Sequence, residues 1–193
     1  MWNVPETFTQ TLLQLRDLTN ILLEGGVLGK AIQEASIFCI RALAEGHKII
    51  ACGNGGSMAQ AIHLAEELTG RYRSPRKALP ALAISDPGHL SCVANDFGFS
   101  EVFARFVEAH GNPGDVLVLF TTSGNSPNII RAAEVARGLS VATVGFTGGK
   151  GGALRPLLDC EVCVEATDHS ARIQEIHLLC IHWLIEEIER NLT

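Results

Sequence analysis

The chain has 193 residues, which is enough for one substantial hydrophobic core and too few for two ordinary domains. Its formal net charge of -6 and sequence pI of about 5.6 exclude a general electrostatic attraction to nucleic acid, because phosphate backbones attract positive surfaces. The N-terminus lacks a basic segment followed by an apolar one, and no apolar stretch approaches the roughly 20 residues that span a bilayer. We therefore expect a cytoplasmic protein with no nucleic-acid partner and no membrane partner.

The first 46 residues predict two helices that precede any strand. Apolar residues recur with helical spacing from Thr7 to about Glu24, and Gly25-Gly26 ends that run. A second helix is predicted from about Leu28 to Ala44. This N-terminal helical hairpin, residues 1–46, needs a partner surface. Since hydrophobic residues make up 47% of the chain and charged residues 19%, we expect that surface in an oligomer.

Short apolar runs then alternate with helices, up to a closing helix from about Ala171 to Arg190. Continuous apolar strands joined by helices are typical of a parallel sheet that is covered on both faces. The prediction is a single α/β domain over residues 1–193, a three-layer αβα sandwich around a five-stranded parallel sheet. The predicted strands are Lys48–Cys52, Ala81–Ser85, Val116–Phe120, Ser140–Phe146 and Glu161–Ala166.

The six cysteines are scattered in apolar surroundings, which favours reduced, buried thiols over a disulfide framework. Cys160 and Cys163 form a C-x-x-C pattern inside a predicted strand, where positions three apart face opposite sides. We interpret both as core residues. The basic run Arg71-Tyr72-Arg73, with Arg76 and Lys77, is interpreted as a solvated loop after a helix.

Two loops that follow predicted strands could hold a phosphate. Gly53-Asn54-Gly55-Gly56-Ser57 and Thr121-Thr122-Ser123-Gly124-Asn125-Ser126 each lead into a helix, so backbone N–H groups, hydroxyls and a helix N-terminus converge there. Neither loop matches the nucleotide-binding glycine motifs. The alternative is that both loops only turn the chain and cap helices. A third segment, Thr147–Gly152, is either a mobile rim or a turn.

Candidate chemical groups lie on two helices. His63 and Glu67 are four residues apart and share a helix face, so both could hold one metal ion or one substrate, whereas Glu66 points about 100° away from Glu67. On the last helix, Gln174 and His182 lie eight residues apart, about 12 Å along an ideal helix. That is too far for both to reach one ion easily, so different protomers would complete such a site.

A lone histidine on an apolar helix is more often a core residue than a ligand, and this alternative applies to His177 and His182 alike. The pair Asn95-Asp96 is expected in a loop after the second strand. It either forms a turn or holds sugar hydroxyls.

Five motifs together resemble a known family. They occur in the family's order and span nearly the whole chain: Cys52-Gly-Asn-Gly-Gly-Ser57, His63 with Glu66-Glu67-Leu-Thr-Gly-Arg-Tyr-Arg73, Asn95-Asp-Phe-Gly-Phe99, Thr122-Ser-Gly-Asn-Ser126 and Arg172-Ile-Gln-Glu-Ile-His177. The chain in this respect resembles the phosphoheptose isomerases, which have the sugar isomerase (SIS) fold. The resemblance implies an enzyme that interconverts sedoheptulose 7-phosphate and D-glycero-D-manno-heptose 7-phosphate for lipopolysaccharide or other glycans.

The resemblance also implies roles for particular residues. Glu67 and His182 would be the catalytic acid/base pair, and a homotetramer would carry sites at its subunit interfaces. One Zn²⁺ per subunit would be bound by His63, Glu67, Gln174 and His182. Substrate would be bound by Asn54, Gly55, Gly56, Ser57, Glu67, Asn95, Asp96, Thr121, Thr122, Ser123, Ser126 and Gln174.

Two positions depart from the family pattern. Thr121 stands where serine is common, and Ala171 stands where some members carry aspartate, which puts an additional carboxylate near the site in doubt. The alternatives are a non-catalytic phosphosugar-binding regulator or replication-initiator-associating protein of the same fold, and an enzyme for another phosphosugar. The presence of both Glu67 and His182 favours an enzyme, since a scaffold needs neither.

Overall fold

The computed structural model describes residues 7–192, in which helices alternate with the strands of one sheet. The strands are β1 (Ile49–Gly53), β2 (Ala81–Ala83), β3 (Val116–Phe120), β4 (Ala142–Gly148) and β5 (Cys160–Val164). The α-helices are α1 (Phe8–Gly25), α2 (Val27–Ala44), α3 (Gly56–Thr69), α4 (Pro87–Phe97), α5 (Ala104–His110), α6 (Pro127–Gly138) and α7 (Ser170–Leu192). Short 3-10 helices cover Phe99–Glu101 and Gly152–Leu157.

The two N-terminal helices begin and end within two residues of their predicted bounds. Thr7 is the N-cap of α1: its hydroxyl accepts the Gln10 N–H at 3.3 Å, and the Gln10 side chain accepts the Thr7 N–H at 2.7 Å. Such a reciprocal cap contributes about 1 kcal/mol to helix stability. Gly26, with φ of 62°, ends α1 in a left-handed conformation and lets the chain turn directly into α2.

The sheet is entirely parallel, in the order β2-β1-β3-β4-β5. The order reverses between β1 and β3, because the chain adds β2 on one side of β1 and all later strands on the other. Crevices for ligands form at the carboxyl ends of the strands that flank such a switch point. The two loops predicted to hold a phosphate follow β1 and β3, so the topology puts both at this crevice.

A hydrophobic core lies on each face of the sheet, which confirms the three-layer sandwich. Ile49 and Ala51 of β1 face a core built with α1, α2, α3 and α7, whereas Ile50 and Cys52 face a core built with α4, α5 and α6. Residues 116–120 of β3 alternate in the same way. All five residues of each of these strands are buried, which explains why both read as unbroken apolar runs.

Several local predictions were wrong. Asn95 and Asp96 lie in the last turn of α4 and not in a loop; Asp86 caps that helix and Gly98 ends it. Strand β4 begins at Ala142 because Ser140 has a φ of 57°, which a strand does not adopt. Among the cysteines, Cys92 is exposed, while Cys160 is buried and Cys163 faces the other side of β5 half-buried.

No helix between residues 7 and 192 is long and apolar enough to cross a membrane.

Candidate active site

The first loop at the crevice is held in shape by an amide pair. The side chains of Asn54 and of Asn128 in α6 donate to each other's carbonyl oxygens, both at 2.9 Å. Gly55 has a φ of 56° and precedes the first turn of α3, where Ser57 is buried. The Asn54 side chain therefore ties the loop after β1 to the helix that follows the loop after β3.

The hydroxyls of the second loop are divided between shaping the loop and facing outward. Thr121 is buried, and its hydroxyl accepts the Gly124 N–H at 3.2 Å. The Ser123 hydroxyl accepts the Asn125 N–H at 3.2 Å. Ser126 occupies the N-cap of α6 without making a capping hydrogen bond, so its oxygen stays available at a helix N-terminus.

The third glycine-rich segment packs directly against the second loop. A Cβ atom on Gly124 would lie only 1.8 Å from the Gly151 carbonyl oxygen, so the two backbones touch at a point where no side chain fits. The two segments enclose a cavity of about 330 Å³. It is lined by Thr122, Ser123, Asn125, Gly148, Gly149, Lys150, Gly152, Asp168 and Ser170. Residues 148–152 are thus a wall of this cavity and more than a turn.

Two of these lining residues, Asp168 and Ser170, were missed by sequence reasoning, whereas Lys150 belongs to the segment Thr147–Gly152 that the sequence had left open as a mobile rim or a turn. The glycine-rich composition around Lys150 was a usable signal, because such segments let two backbones approach closely. Ser170 begins α7, and its hydroxyl lies 3.3 Å from that of Thr122. Only the folded chain brings the start of the last helix to the loop after β3.

Helices α3 and α7 bring two histidines together. The Nε2 atoms of His63 and His182 lie 3.0 Å apart, and the rings meet edge to face. A Glu67 carboxylate oxygen is 3.9 Å from His63 Nε2, and the Glu67 side chain is 18% exposed. His63, Glu67 and His182, three of the four predicted metal ligands, therefore gather in a half-buried cluster.

Glu66 belongs to the same cluster, although on an ideal helix it points about 100° away from Glu67 and was therefore not predicted to share a site with it. Its carboxylate lies 3.0 Å from His63 Nδ1, because residues three apart are also neighbours on a helix. A His63 Nδ1–H that donates to Glu66 leaves Nε2 with a free lone pair. His63, Glu66 and Glu67 can present ligand atoms within 4.8 Å of one another.

This donor set fits a divalent ion such as zinc. Two ligands that each lie 2.0–2.1 Å from a tetrahedral ion are roughly 3.3 Å apart, close to the observed separation of the two Nε2 atoms. Imidazole nitrogens with a carboxylate oxygen are ligands that zinc accepts. In the absence of an ion, a single N–H···N hydrogen bond between neutral rings accounts for the same contact.

Gln174 does not join this cluster within one chain. A Cβ atom on Gly56 would lie 2.9 Å from the Gln174 amide, so that amide covers the start of α3. Gly56 precedes His63 by seven residues, about 10 Å along the helix. The separation expected between Gln174 and His182 is therefore present in the folded chain.

His177 is a core residue. It is fully buried, its Nε2 atom lies 2.9 Å from the Thr147 carbonyl oxygen, and aromatic rings surround it. Burial lowers its pKa to about 4, and the bond to Thr147 offsets only part of that effect. A histidine that stays neutral and enclosed does not exchange protons with a substrate near neutral pH. Of the two histidines left open by the sequence, His182 is the one that joins the cluster with His63 and Glu67.

Asn95 and Asp96 are exposed, and the Asn95 amide donates to the Asp96 carboxylate at 2.7 Å. Within residues 7–192 no hydrogen bond joins either side chain to the two loops or to the histidines. One chain alone therefore does not bring this pair to the other candidate residues.

Known proteins are similar to this chain both in sequence and in architecture. The SIS domain family matches residues 18–148. The phosphoheptose isomerase of Cytophaga hutchinsonii is 51% identical over 84% of this chain and 85% of its own length. That of Edwardsiella ictaluri is 48% identical over 93% of this chain and 89% of its own.

Solved structures agree with these relatives. A phosphoheptose isomerase from Francisella tularensis superposes with a TM-score of 0.89 at 34% identity, covering 96% of this chain and 100% of that one. The phosphoheptose isomerase from Neisseria gonorrhoeae gives 0.86 at 35% identity, covering 94% and 98%. The Vibrio vulnificus NanR protein, solved with ManNAc-6P, has a TM-score of 0.66 at 17% identity and shares the fold alone.

Proposed function

Because the chain belongs to the SIS domain family and, within it, to the phosphoheptose isomerases, we propose that it converts sedoheptulose 7-phosphate to D-glycero-D-manno-heptose 7-phosphate. The observation that carries this proposal is the cluster of His63, Glu67 and His182 in a chain about half identical to enzymes of that name. This reaction would be the first step in the synthesis of heptose for lipopolysaccharide or other glycans.

The reaction moves a carbonyl between C1 and C2 of the sugar. A base removes a proton from the carbon beside the carbonyl, an enediol forms, and an acid returns a proton to the neighbouring carbon. Glu67 and His182 are the proposed pair for these transfers. His63 lies between them in the cluster and, with its Nδ1–H directed at Glu66, keeps a fixed orientation.

Binding of the remote phosphate is proposed to position C1 and C2 of the sugar against Glu67 and His182. The outward hydroxyls of Thr122, Ser123 and Ser126 and the N-terminus of α6 suit an anion. Asn54, Gly55, Gly56, Ser57 and Thr121 would bind substrate mainly by shaping the two loops. Binding energy at a distant group can be used to orient the reacting one.

We also propose one Zn²⁺ per subunit, held by His63, Glu67 and His182. When bound, such an ion would polarise the sugar oxygens and stabilise developing negative charge. Gln174 lies apart from these residues in one chain, so its proposed contribution to the metal and substrate sites would come from a neighbouring subunit. Asn95 and Asp96, which are exposed, would likewise reach substrate across an interface.

A homotetramer is the assembly proposed to complete these sites. Support comes from the apolar surface of the N-terminal hairpin and α7, where a groove of about 520 Å³ runs between α1, α2 and α7. Exposed apolar side chains there include Leu23, Val27 and Leu179, which are 79%, 71% and 60% exposed. Light scattering should give four times the chain mass of 20.7 kDa. A mass of one chain at micromolar concentration would contradict the assembly.

Residues 1–193 would act as a single domain, and residues 1–46 would pack in the oligomer. A cytoplasmic location agrees with six free cysteines, which suit a reducing compartment. Cell fractionation tests that location.

The function is tested by incubating the purified protein with sedoheptulose 7-phosphate and following the aldoheptose phosphate by NMR. We expect the aldose signals to grow until a constant ratio of aldose to ketose is reached from either direction. Binding of the ketose without any turnover would contradict the isomerase and favour the phosphosugar-binding regulator. That alternative is not favoured at present, because the relatives at 48–51% identity are isomerases by name and Glu67 and His182 are both present.

A further inference from the structure

The basic segment, residues 70–77 between α3 and β2, does not run freely through solvent as its charges had suggested. It lies along α7 and contacts it at three places. The Tyr72 ring stacks on His182 with centroids 5.7 Å apart, and Arg73 Nε donates to Glu186 at 2.6 Å. Arg76 Nε donates to Glu189 at 2.8 Å.

These three contacts share one face of the helix. His182, Glu186 and Glu189 follow the spacing i, i+4, i+7, which lines side chains up along a helix. The Arg73 guanidinium also lies 5.3 Å from the centroid of the Tyr72 ring. The Tyr72 side chain is therefore held between the proposed catalytic histidine and an arginine that is itself paired to α7.

The Arg76–Glu189 pair is the buried anchor of this arrangement. The two side chains are only 2% and 9% exposed. Arg76 donates to the backbone carbonyls of Glu67 at 2.7 Å and Leu68 at 2.8 Å, which belong to the last turn of α3. One guanidinium thus joins the turn that carries Glu67 to the helix that carries His182.

Glu189 also organises the backbone of the segment. Its two carboxylate oxygens accept the N–H groups of Tyr72 and Arg73, both at 3.2 Å. Burial by itself would raise the pKa of Glu189, but these N–H donors and the Arg76 guanidinium outweigh it and hold the pKa below its ordinary value. The carboxylate is charged near neutral pH and fixes Tyr72 where its ring meets His182.

We propose that Arg76, Glu189 and Tyr72 are positioning residues for the isomerisation: the ion pair fixes the separation of Glu67 from His182, and the tyrosine ring fixes the His182 imidazole. The inference rests on the proposed function, because it assigns a role only relative to that acid/base pair. A displacement of about 1 Å at a reacting group can reduce a rate by roughly 100-fold, so a rigid link between α3 and α7 bears directly on kcat.

The test is Glu189→Gln in the full-length protein, assayed with sedoheptulose 7-phosphate. Glutamine keeps the shape of the side chain but removes the charge that holds Arg76 and one of the acceptor oxygens. We expect kcat to fall at least about tenfold, because the reacting groups lose their fixed separation. KM should change less than about twofold, since the phosphate loops are untouched.

Asp115 offers a matched control that lies outside the segment between α3 and α7. Asp115 is 1% exposed, pairs with Lys48 Nζ at 2.5 Å and accepts two backbone N–H groups, as Glu189 does. Lys48 immediately precedes β1 and Asp115 immediately precedes β3, so this pair lies at the end of the sheet remote from the crevice. Asp115→Asn should lower the thermal midpoint as Glu189→Gln does, yet leave kcat unchanged at temperatures well below that midpoint.

A second pair of variants keeps the inference testable if Glu189→Gln does not fold. Tyr72→Phe retains a ring against His182 and should keep kcat within about twofold, whereas Tyr72→Ala should reduce it about tenfold. Unchanged kcat in both Glu189→Gln and Tyr72→Ala, with an active wild type, would overturn the positioning role alone. An inactive wild type would overturn the proposed function and this inference with it.

Discussion

Glu67→Gln is expected to lower kcat for sedoheptulose 7-phosphate by about 100- to 10,000-fold, the range that a positioned acid or base contributes. His182→Ala should cost a similar factor. The reason is geometric: His63 Nε2 lies 3.0 Å from His182 Nε2 and 3.9 Å from the Glu67 carboxylate, so each change removes a proton-transferring group from one half-buried cluster. Product formation measured by NMR gives both rates.

Two exposed residues on the opposite layer serve as controls for this prediction. Glu134→Gln on α6 and His110→Ala on α5 make the same chemical changes away from the cluster and should leave kcat unaltered. Bound metal measured in the same preparations separates the loss of a ligand from the loss of an acid or base. Near-normal rates in either site variant would remove the proposed pair.

The parts of the site that the sequence predicted are those set by local and universal rules. Apolar runs gave the five strands, and the carboxyl ends of parallel strands meet at one edge whatever the strand order. Glycine, serine and threonine after β1 and β3 therefore pointed to the crevice before the order was known. Helical spacing likewise put His63 and Glu67 on one face.

The parts that escaped prediction depend on contacts between distant segments. The basic segment looked like a solvated run because its charges match a water-facing loop. Its partners Glu186 and Glu189 lie more than a hundred positions away, and Arg76 is enclosed only once α7 docks. Asn95 and Asp96 were assigned to a loop from their turn-forming character, whereas the Asp86 cap and Pro87 start a helix that runs through them.

Removing divalent ions with a chelator is expected to lower turnover by at least about 100-fold, because an ion that polarises the sugar oxygens lowers the activation free energy by several kcal/mol. Adding zinc should restore it. The donor set that motivates this expectation is a pair of imidazole nitrogens 3.0 Å apart with carboxylates beside them. The measurement is the NMR rate before chelation, after chelation and after zinc is returned.

Thermal unfolding of the same samples gives a reading that does not depend on activity. A ligand at 100 times its Kd stabilises the folded state by about 2.7 kcal/mol, which corresponds to roughly 5–10 °C for a chain of this size. Zinc should therefore raise the midpoint of the chelated wild type and of His110→Ala, but not of His63→Ala, which lacks the nitrogen shared by the cluster. If chelation does not change the turnover and zinc does not shift the thermal midpoint, the proposed zinc site is contradicted. Glu67 and His182 would then act as a metal-free pair, joined through the hydrogen bond between His63 and His182.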